Sequence, residues 1–563
     1  MAWSAKKTVV LLLAAAFVQA LQAEVFSVSG DADRDLTGEL AAVLSRAKDG
    51  GELFLPKGRY FIRGAVAIED VKNFTLRGEK GTVIVTHACP TGFLNECNGA
   101  LKIRRAENFR LENIVFTSDE PTGSAGRIVA LNPKDGTFDV EIARGFPVSG
   151  KECVASLDSC SSVGMPDRRL SLTGKLERKF DDRGRVLLSV RSVAYSVVAP
   201  RILRFYAPGG RSYRFERLHI GDRVAIRHSL WGGGLITFTQ VHGATVRDVT
   251  VERCIAMAVV IEPRSSDFVF ERFRIAPPDG SDAIFSSNAD GIHIMGLSGK
   301  LQLDECRFRG LGDDALNVHS RAGIVKSVKG DELSLMSRGY SGEEIALSAK
   351  WAQAGDRISL YDPHTFAKKG ELVLESFAQG VGKFSGAGFR PVSGDLVANE
   401  AFAPAVEIVR SECSVMRARA FLLQTSDILV RECRFSDVAL PALLFAPDAE
   451  RWYEMSPSRN VKIENNVFLR CATIEGASLA AIDFKSSHNS SPKPYPPGVH
   501  SVIAINDNCF ELCAGAAISV ASASRIEMSG NRFSQCGDNP PLRLLHCDKI
   551  RINGKVVKPK EER

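Results

Sequence analysis

A degenerate repeat limits how this chain can fold more than any single motif does. An apolar residue is followed three positions later by Cys, Asn or a small apolar residue, and five positions later by Phe. Copies stand at Leu303/Cys306/Phe308, Val430/Cys433/Phe435, Ile463/Asn466/Phe468 and Met528/Asn531/Phe533, with looser ones at Leu111/Phe116 and Ile505/Phe510. Each copy opens on alternating residues, the period of a strand. A turn residue then bends the chain and Phe returns to the interior. Short strands in units of roughly 20 to 25 residues suit a parallel β-helix, because one rung cannot bury its apolar face alone. A β-sandwich built from hairpins would need strong two-residue turns between the runs, and those are sparse. The expected fold is all-β, a right-handed parallel β-helix.

Two stretches break the repeat, about 125–225 and about 320–405. They share a Gly-Asp turn leading into an alternating strand: Gly221-Asp222-Arg223-Val224, Gly355-Asp356-Arg357-Ile358 and Gly394-Asp395-Leu396-Val397. Small antiparallel barrels use such turns repeatedly. The expected organisation is a β-helix N-terminal part over 24–124, an inserted β-barrel over 125–225, and catalytic rungs over 226–319. A second inserted barrel follows over 320–405, then a β-helix C-terminal part over 406–563.

Residues 1–23 read as a secretory signal peptide. Lys6 and Lys7 precede an apolar run from Val9 to Val18, and small residues at Ala20 and Ala23 offer cleavage points. The run is too short to span a bilayer comfortably, so an exported protein without stable membrane insertion is expected, periplasmic or secreted. Net charge is +6 without long basic runs, which gives no support to nucleic-acid binding. In an oxidising compartment Cys89/Cys97 and Cys153/Cys160 are candidate disulfides. The other cysteines, among 13 in all, fall in strand pattern and are expected as small buried hydrophobes. No paired CxxC motifs occur, so no zinc site is expected.

The chemistry concentrates in one region. Ser287-Asn288-Ala289-Asp290-Gly291-Ile292-His293 is followed by Gly312-Asp313-Asp314-Ala315-Leu316-Asn317-Val318-His319. Asp290 and Asp313 are 23 residues apart, about one rung, so the two acidic clusters should stack at strand spacing. If Ile292, Ile294, Leu316 and Val318 face inward, then His293, Asn317 and His319 face one outer groove. Glycines 291 and 312 could reset the alternation, so parity does not rank the three carboxylates. A groove with three carboxylates, two imidazoles and the amides of Asn288 and Asn317 suits glycoside hydrolysis, which needs a carboxylic acid and a carboxylate. Rung spacing plus a lateral offset predicts carboxyl separations of roughly 6 to 9 Å, the inverting range. Asp-Gly turns are common as plain turns, and a calcium site could use the same acids, although His is a poor calcium ligand.

The two acidic motifs resemble the active-site motifs of glycoside hydrolase family 110, the exo-acting α-1,3-galactosidases. Ser229-Leu230-Trp231-Gly232-Gly233-Gly234 and Arg417-Ala418-Arg419-Ala420-Phe421-Leu422-Leu423-Gln424-Thr425 are also similar to family segments. The resemblance implies release of terminal α-1,3-linked galactose from blood group B-type or linear glycans, with inversion and no cofactor. It implies Asp290 as general acid and Asp313 and/or Asp314 as the water-activating base. His293, Asn317, His319, Asn288, Trp231, Arg419 and Gln424 are the expected sugar-binding residues, with Arg417, Arg227 and His228 as further groove candidates and Trp452 and Tyr453 at the rim. Two rival readings remain: a noncatalytic glycan-binding β-helix, and a hydrolase or lyase acting on an acidic polysaccharide. The latter would require basic residues in the groove.

Overall fold

A computed structural model describes residues 25–558. Positions 29, 32–33, 48, 88–98, 149–155, 161–165, 174, 181–185, 192, 207–217, 229–232, 339–342, 386–387, 450–451, 475–477, 487–494 and 539 fall outside the description. The expected signal peptide, the Cys89/Cys97 pair, Cys153 and Trp231 therefore lie outside the described residues.

The chain is a parallel β-helix with three stacked faces. One face stacks Ile236, Val259, Ile292, Leu316, Phe421 and Leu443, and continues through Ile482 and Ile518. The second stacks Phe268, Leu301, Val406, Ile428, Val461, Ile503 and Ile526. The third stacks Ile275, Phe308, Cys413, Phe435, Phe468, Phe510 and Phe533. Apart from Phe533 at the last rung, which is exposed, the inward residues named are apolar and buried while their neighbours face out, the alternation that a pleated strand imposes. Together the inward residues form one continuous apolar core along the solenoid.

The repeat read from the sequence is the corner between the second and third faces. Its Phe residues form a ring stack: Phe435–Phe468, Phe468–Phe510 and Phe510–Phe533 have centroids 4.9, 4.8 and 5.3 Å apart, with near-parallel planes. Its Cys and Asn residues cap the corner. Asn466 Oδ1 accepts from Cys433 N, Asn508 Oδ1 from Asn466 N, and Asn531 Oδ1 from Asn508 N, at 2.9 to 3.1 Å. The preceding residue adopts a left-handed conformation, as at Glu432, Asn465 and Asp507, which turns its neighbour's N–H away from the strand ladder. The amide ladder satisfies those buried donors, which would otherwise cost about 1–3 kcal/mol each. Where Cys occupies the position, as at Cys306 and Cys433, the thiol is buried and donates to a carbonyl. Phe468→Ala would open a cavity in the middle of the ring stack. It should destabilise the protein by about 3–5 kcal/mol, read as a shift of the denaturation midpoint with the fold otherwise retained.

Two antiparallel units leave the solenoid. The first is a seven-stranded sheet that begins at Gly123–Asn132 and ends at Arg223–Arg227, with its own apolar core. Among the described residues its pairings form an open run. The second closes. Strand Leu316–Lys329 pairs with Glu332–Arg338, then come Val381–Ser385, Lys368–Ala378, Arg357–Tyr361 and Leu396–Asn399, which returns to Leu316–Lys329. This six-stranded barrel has a separate core around Val325, Leu335, Trp351 and Ile358. Strand Leu316–Lys329 belongs to both bodies: its first residues stack on Phe421–Gln424 in the solenoid, and Ala322 onward forms the barrel wall. Among the described residues no helix is long and apolar enough to cross a membrane.

Candidate active site

The register that builds the core also builds the site. Ile292, Leu316 and Phe421 occupy one level on three successive rungs. Two residues before each stand Asp290, Asp314 and Arg419, which therefore line up across the rungs. The turns that carry the acids are stacked by bridges from Cys254 to Ser287 and from Ser287 to Leu311. Backbone bonds continue the stack, with Gly291 N donating to Asp314 O at 2.8 Å. The glycines permit close approach of neighbouring turns. A Cβ on Gly291 would lie 2.5 Å from the Ala315 carbonyl oxygen, and one on Gly312 would collide with the Asn288 carbonyl.

Oxygens of Asp290, Asp313 and Asp314 lie within 4.8 Å of one another, closer than the expected 6 to 9 Å. The reason is local: Asp314 N donates to Asp290 Oδ1 at 3.1 Å, which draws the second turn onto the first carboxyl. The other oxygen of Asp290 is 2.6 Å from His293 Nδ1. Asp314 is gripped by Arg419 through two side-chain bonds of 2.6 Å and a backbone N–H at 3.1 Å. Asp313 has a looser contact, 3.6 Å from an Arg419 nitrogen, and its side chain is 27% exposed against 1% for Asp314. The trio therefore presents one carboxyl to the groove and holds two behind it.

Burial of these acids decides their protonation. It raises the Asp290 carboxyl, against the His293 hydrogen bond and with the help of the Asp313 charge. It pushes Asp314 up to about 7, with Arg419 opposing. His293 is pulled the other way from a typical buried imidazole: burial lowers it, but the Asp290 contact and the surrounding carboxylates raise it overall. His319, buried and beside His293, is pushed well below the ordinary range and stays neutral.

The parity reading places His293, Asn317 and His319 on one outer face, and the structure brings them together there. His293 stacks over Asn317 on adjacent rungs, and the two imidazole Nε2 atoms are 3.4 Å apart. The apolar partners Ile292, Ile294, Leu316 and Val318 are fully buried in the core. Glu454 joins this group and was not legible in the sequence. Its Oε1 lies 3.6 Å from His319 Nε2 and its Oε2 3.5 Å from Asn317 Nδ2. It arrives on a short strand, Glu454–Met455, that pairs antiparallel with Ser320–Arg321. No periodicity links a residue 135 positions downstream of His319 to that histidine.

Other expected sugar ligands have structural duties. Gln424 is buried, and its amide donates to the carbonyls of Ala446 and Glu454 at 2.7 and 2.8 Å, so it holds the Glu454 loop in place. Asn288 is fully buried and donates to Thr122 O at 2.7 Å, tying the catalytic turn to the start of the first antiparallel sheet. Arg419 spends its guanidinium on the carboxylates. Arg227 and Arg417 converge behind the trio on the carbonyl of Gly312, at 3.1 and 3.2 Å, and Arg417 also donates to buried Asp158 of the first sheet at 2.9 Å. His228 is buried against Ser124 Oγ at 2.9 Å, and burial lowers it to about 4. Tyr453 is buried and Trp452 half-buried in the loop before Glu454. Among the described residues, two groups have metal-like side-chain clustering, the Asp trio and His293/His319/Glu454.

No family model matches the chain. Alpha-1,3-galactosidase A of Akkermansia muciniphila is 29% identical over 300 residues, 50% of this chain and 46% of that protein. Alpha-1,3-galactosidase A of Bacteroides fragilis is 25% identical over 314 residues, 53% of this chain and 51% of that protein. The chain thus spans about half the length of these curated relatives. Alpha-1,3-galactosidase B of Phocaeicola vulgatus is matched more fully, 25% identical over 543 residues and 86% of each chain. Among solved structures, the catalytic unit of a GH87 alpha-1,3-glucanase from Streptomyces thermodiastaticus gives a TM-score of 0.42 at 11% identity, covering 95% of this chain and 69% of that one. That likeness is too loose to bear on mechanism. The sequence matches agree with the resemblance carried by the two acidic motifs, and the chain is a homologue of proteins named alpha-1,3-galactosidase, consistent with glycoside hydrolase family 110.

Proposed function

We propose that this protein is an exo-acting glycosidase that releases terminal α-1,3-linked galactose from glycans, branched or linear, with inversion at the anomeric carbon. The observation that carries the glycosidase reading is the contact of three carboxyls from two successive rungs, two of them raised by burial against an imidazole and a guanidinium. Inversion rests on the resemblance of the acidic motifs, because the carboxyl oxygens lie closer together than the usual inverting range. The names of its relatives supply the sugar and the linkage. Asp290, whose carboxyl is raised by burial, gives a proton to the glycosidic oxygen, and the C1–O bond breaks toward it. Asp313, facing the groove, takes a proton from the attacking water while Arg419 holds Asp314 as its neighbour. The chemistry calls on no group beyond these side chains and water. Export through residues 1–23 belongs to the same proposal and fits a glycan substrate outside the cytoplasm.

A second assignment within this reading exchanges the roles of Asp290 and Asp313. The exposure of Asp313 favours it, since an acid must reach the leaving oxygen. Hydrolysis of α-1,3-galactobiose followed by proton NMR tests the proposal. Early β-galactose is expected; early α-galactose would overturn inversion and require a nucleophile among the three aspartates. Absence of any hydrolysis would overturn the activity itself.

A further inference from the structure

The residues over 446–449 and 452–458 are held to the solenoid by several hydrogen bonds. Gln424 donates to two of their carbonyls, Ala322 N donates to Tyr453 O at 2.7 Å, and Asp448 N to Glu454 O at 2.8 Å. Ser320 Oγ donates to the Met455 carbonyl and lies 3.1 Å from Ser456 Oγ. The residue this scaffold delivers to the groove is Glu454. Its side chain is 18% exposed while that of His319 is 3% exposed, so the carboxyl is the accessible member of the cluster. Beside it, Asn317 Oδ1 and Gln424 Oε1 are buried acceptors without a hydrogen-bond partner. Buried acceptors left empty are costly unless a donor arrives. Next to a neutral imidazole and a carboxyl group that burial raises, the donor that fits is a hydroxyl group, which can give one hydrogen bond and accept another.

The position selects which hydroxyl. His293 bridges the two halves of the site, with Nδ1 on Asp290 and Nε2 facing His319 and Glu454. Glu454 thus stands one imidazole away from the carboxylate trio. In a hexopyranose C4 lies across the ring from C1, so a sugar with C1 at the trio and its ring laid along His293 brings its C4 side to Glu454. The geometry points to Glu454, with His319 and Asn317, as the reader of the axial 4-hydroxyl of the terminal sugar, the group that distinguishes galactose from glucose. This rests on the galactosidase reading and adds a specificity-determining residue to it.

The test is a double cycle of enzyme and substrate. Wild type and E454A are compared on α-1,3-galactobiose and on its analogue lacking the 4-hydroxyl on the terminal ring, with thermal melting as the folding control. A site built to bond a hydroxyl rejects the analogue without it strongly. Wild type should therefore lose about 100-fold or more in kcat/KM on the deoxy substrate. E454A should lose a similar factor on the parent and little further on the analogue, because the side chain that makes the contact is already gone. Should E454A fail to fold, E454M, which fills the space without a hydrogen-bonding group, is put through the same cycle. Full 4-hydroxyl dependence retained in the Glu454 variant, or an unimpaired variant, would overturn the assignment while leaving the activity standing. Wild type inert on the parent disaccharide would overturn both. A stoichiometric divalent ion in the purified protein, lost on changing Glu454, would also overturn it, since His293, His319 and Glu454 would then be ligands.

Discussion

Asp290→Asn should lower kcat on α-1,3-galactobiose by about 10²–10⁴-fold, the range for loss of a general acid. The protein should remain folded, because Asn matches the shape of the protonated carboxyl that burial favours. The leaving group separates the two assignments of the acid. An aryl galactoside with an acidic phenol needs little protonation, so a variant lacking the acid keeps most of its activity on it. Under the primary assignment Asp290→Asn is rescued in this way and Asp313→Asn is not. The reverse pattern would make Asp313 the acid. The pH profile follows from the same carboxyls, which titrate as a group. Asp314 sits at about 7 through burial, and the cluster must keep a proton to act as acid. Activity should accordingly fall as pH rises through about 7, and a profile flat from pH 6 to 9 would contradict this.

The largest effect on stability is expected from the pair behind the site. Asp158 and Arg417 are both buried, 2.9 Å apart, one from the first antiparallel sheet and the other from the β-helix. Removing one partner leaves an uncompensated buried charge, which costs about 3–5 kcal/mol. Asp158→Ala should therefore lower the denaturation midpoint sharply. Asp158→Leu combined with Arg417→Met should recover much of that loss, since an apolar pair of similar volume is often no worse than a buried ion pair. The double variant should still be slow, because Arg417 also holds the Gly312 carbonyl directly before Asp313. Recovered stability with full activity would show that the pair only glues the sheet to the solenoid.

The parts that could be read from the sequence are those governed by period. The Phe and Asn columns repeat with each rung, and their positions in the structure are those of the corner stack. Asp290 and Asp313 were readable because a single uninterrupted rung separates them. Arg419 stands at the same register, but the inserted barrel sets it 105 positions beyond Asp314, so spacing alone does not reveal its bidentate grip. Glu454, Asp158 and Thr122 come from connections whose paths no local pattern encodes. Gln424 and Asn288 show the same limit from the other side. Their residue types suit a sugar, yet burial commits their amide N–H groups to backbone carbonyls.

Strand Leu316–Lys329 carries His319 in the solenoid and, three residues later, Ala322 in the barrel wall. A pleated strand reverses the direction of its side chains at every residue. One residue inserted or deleted between these two points would turn the barrel inside out relative to the groove, exchanging its lining for its outer surface. Descent of such a protein can thus remodel barrel loops freely, but it can change the length of this seam only in steps of two.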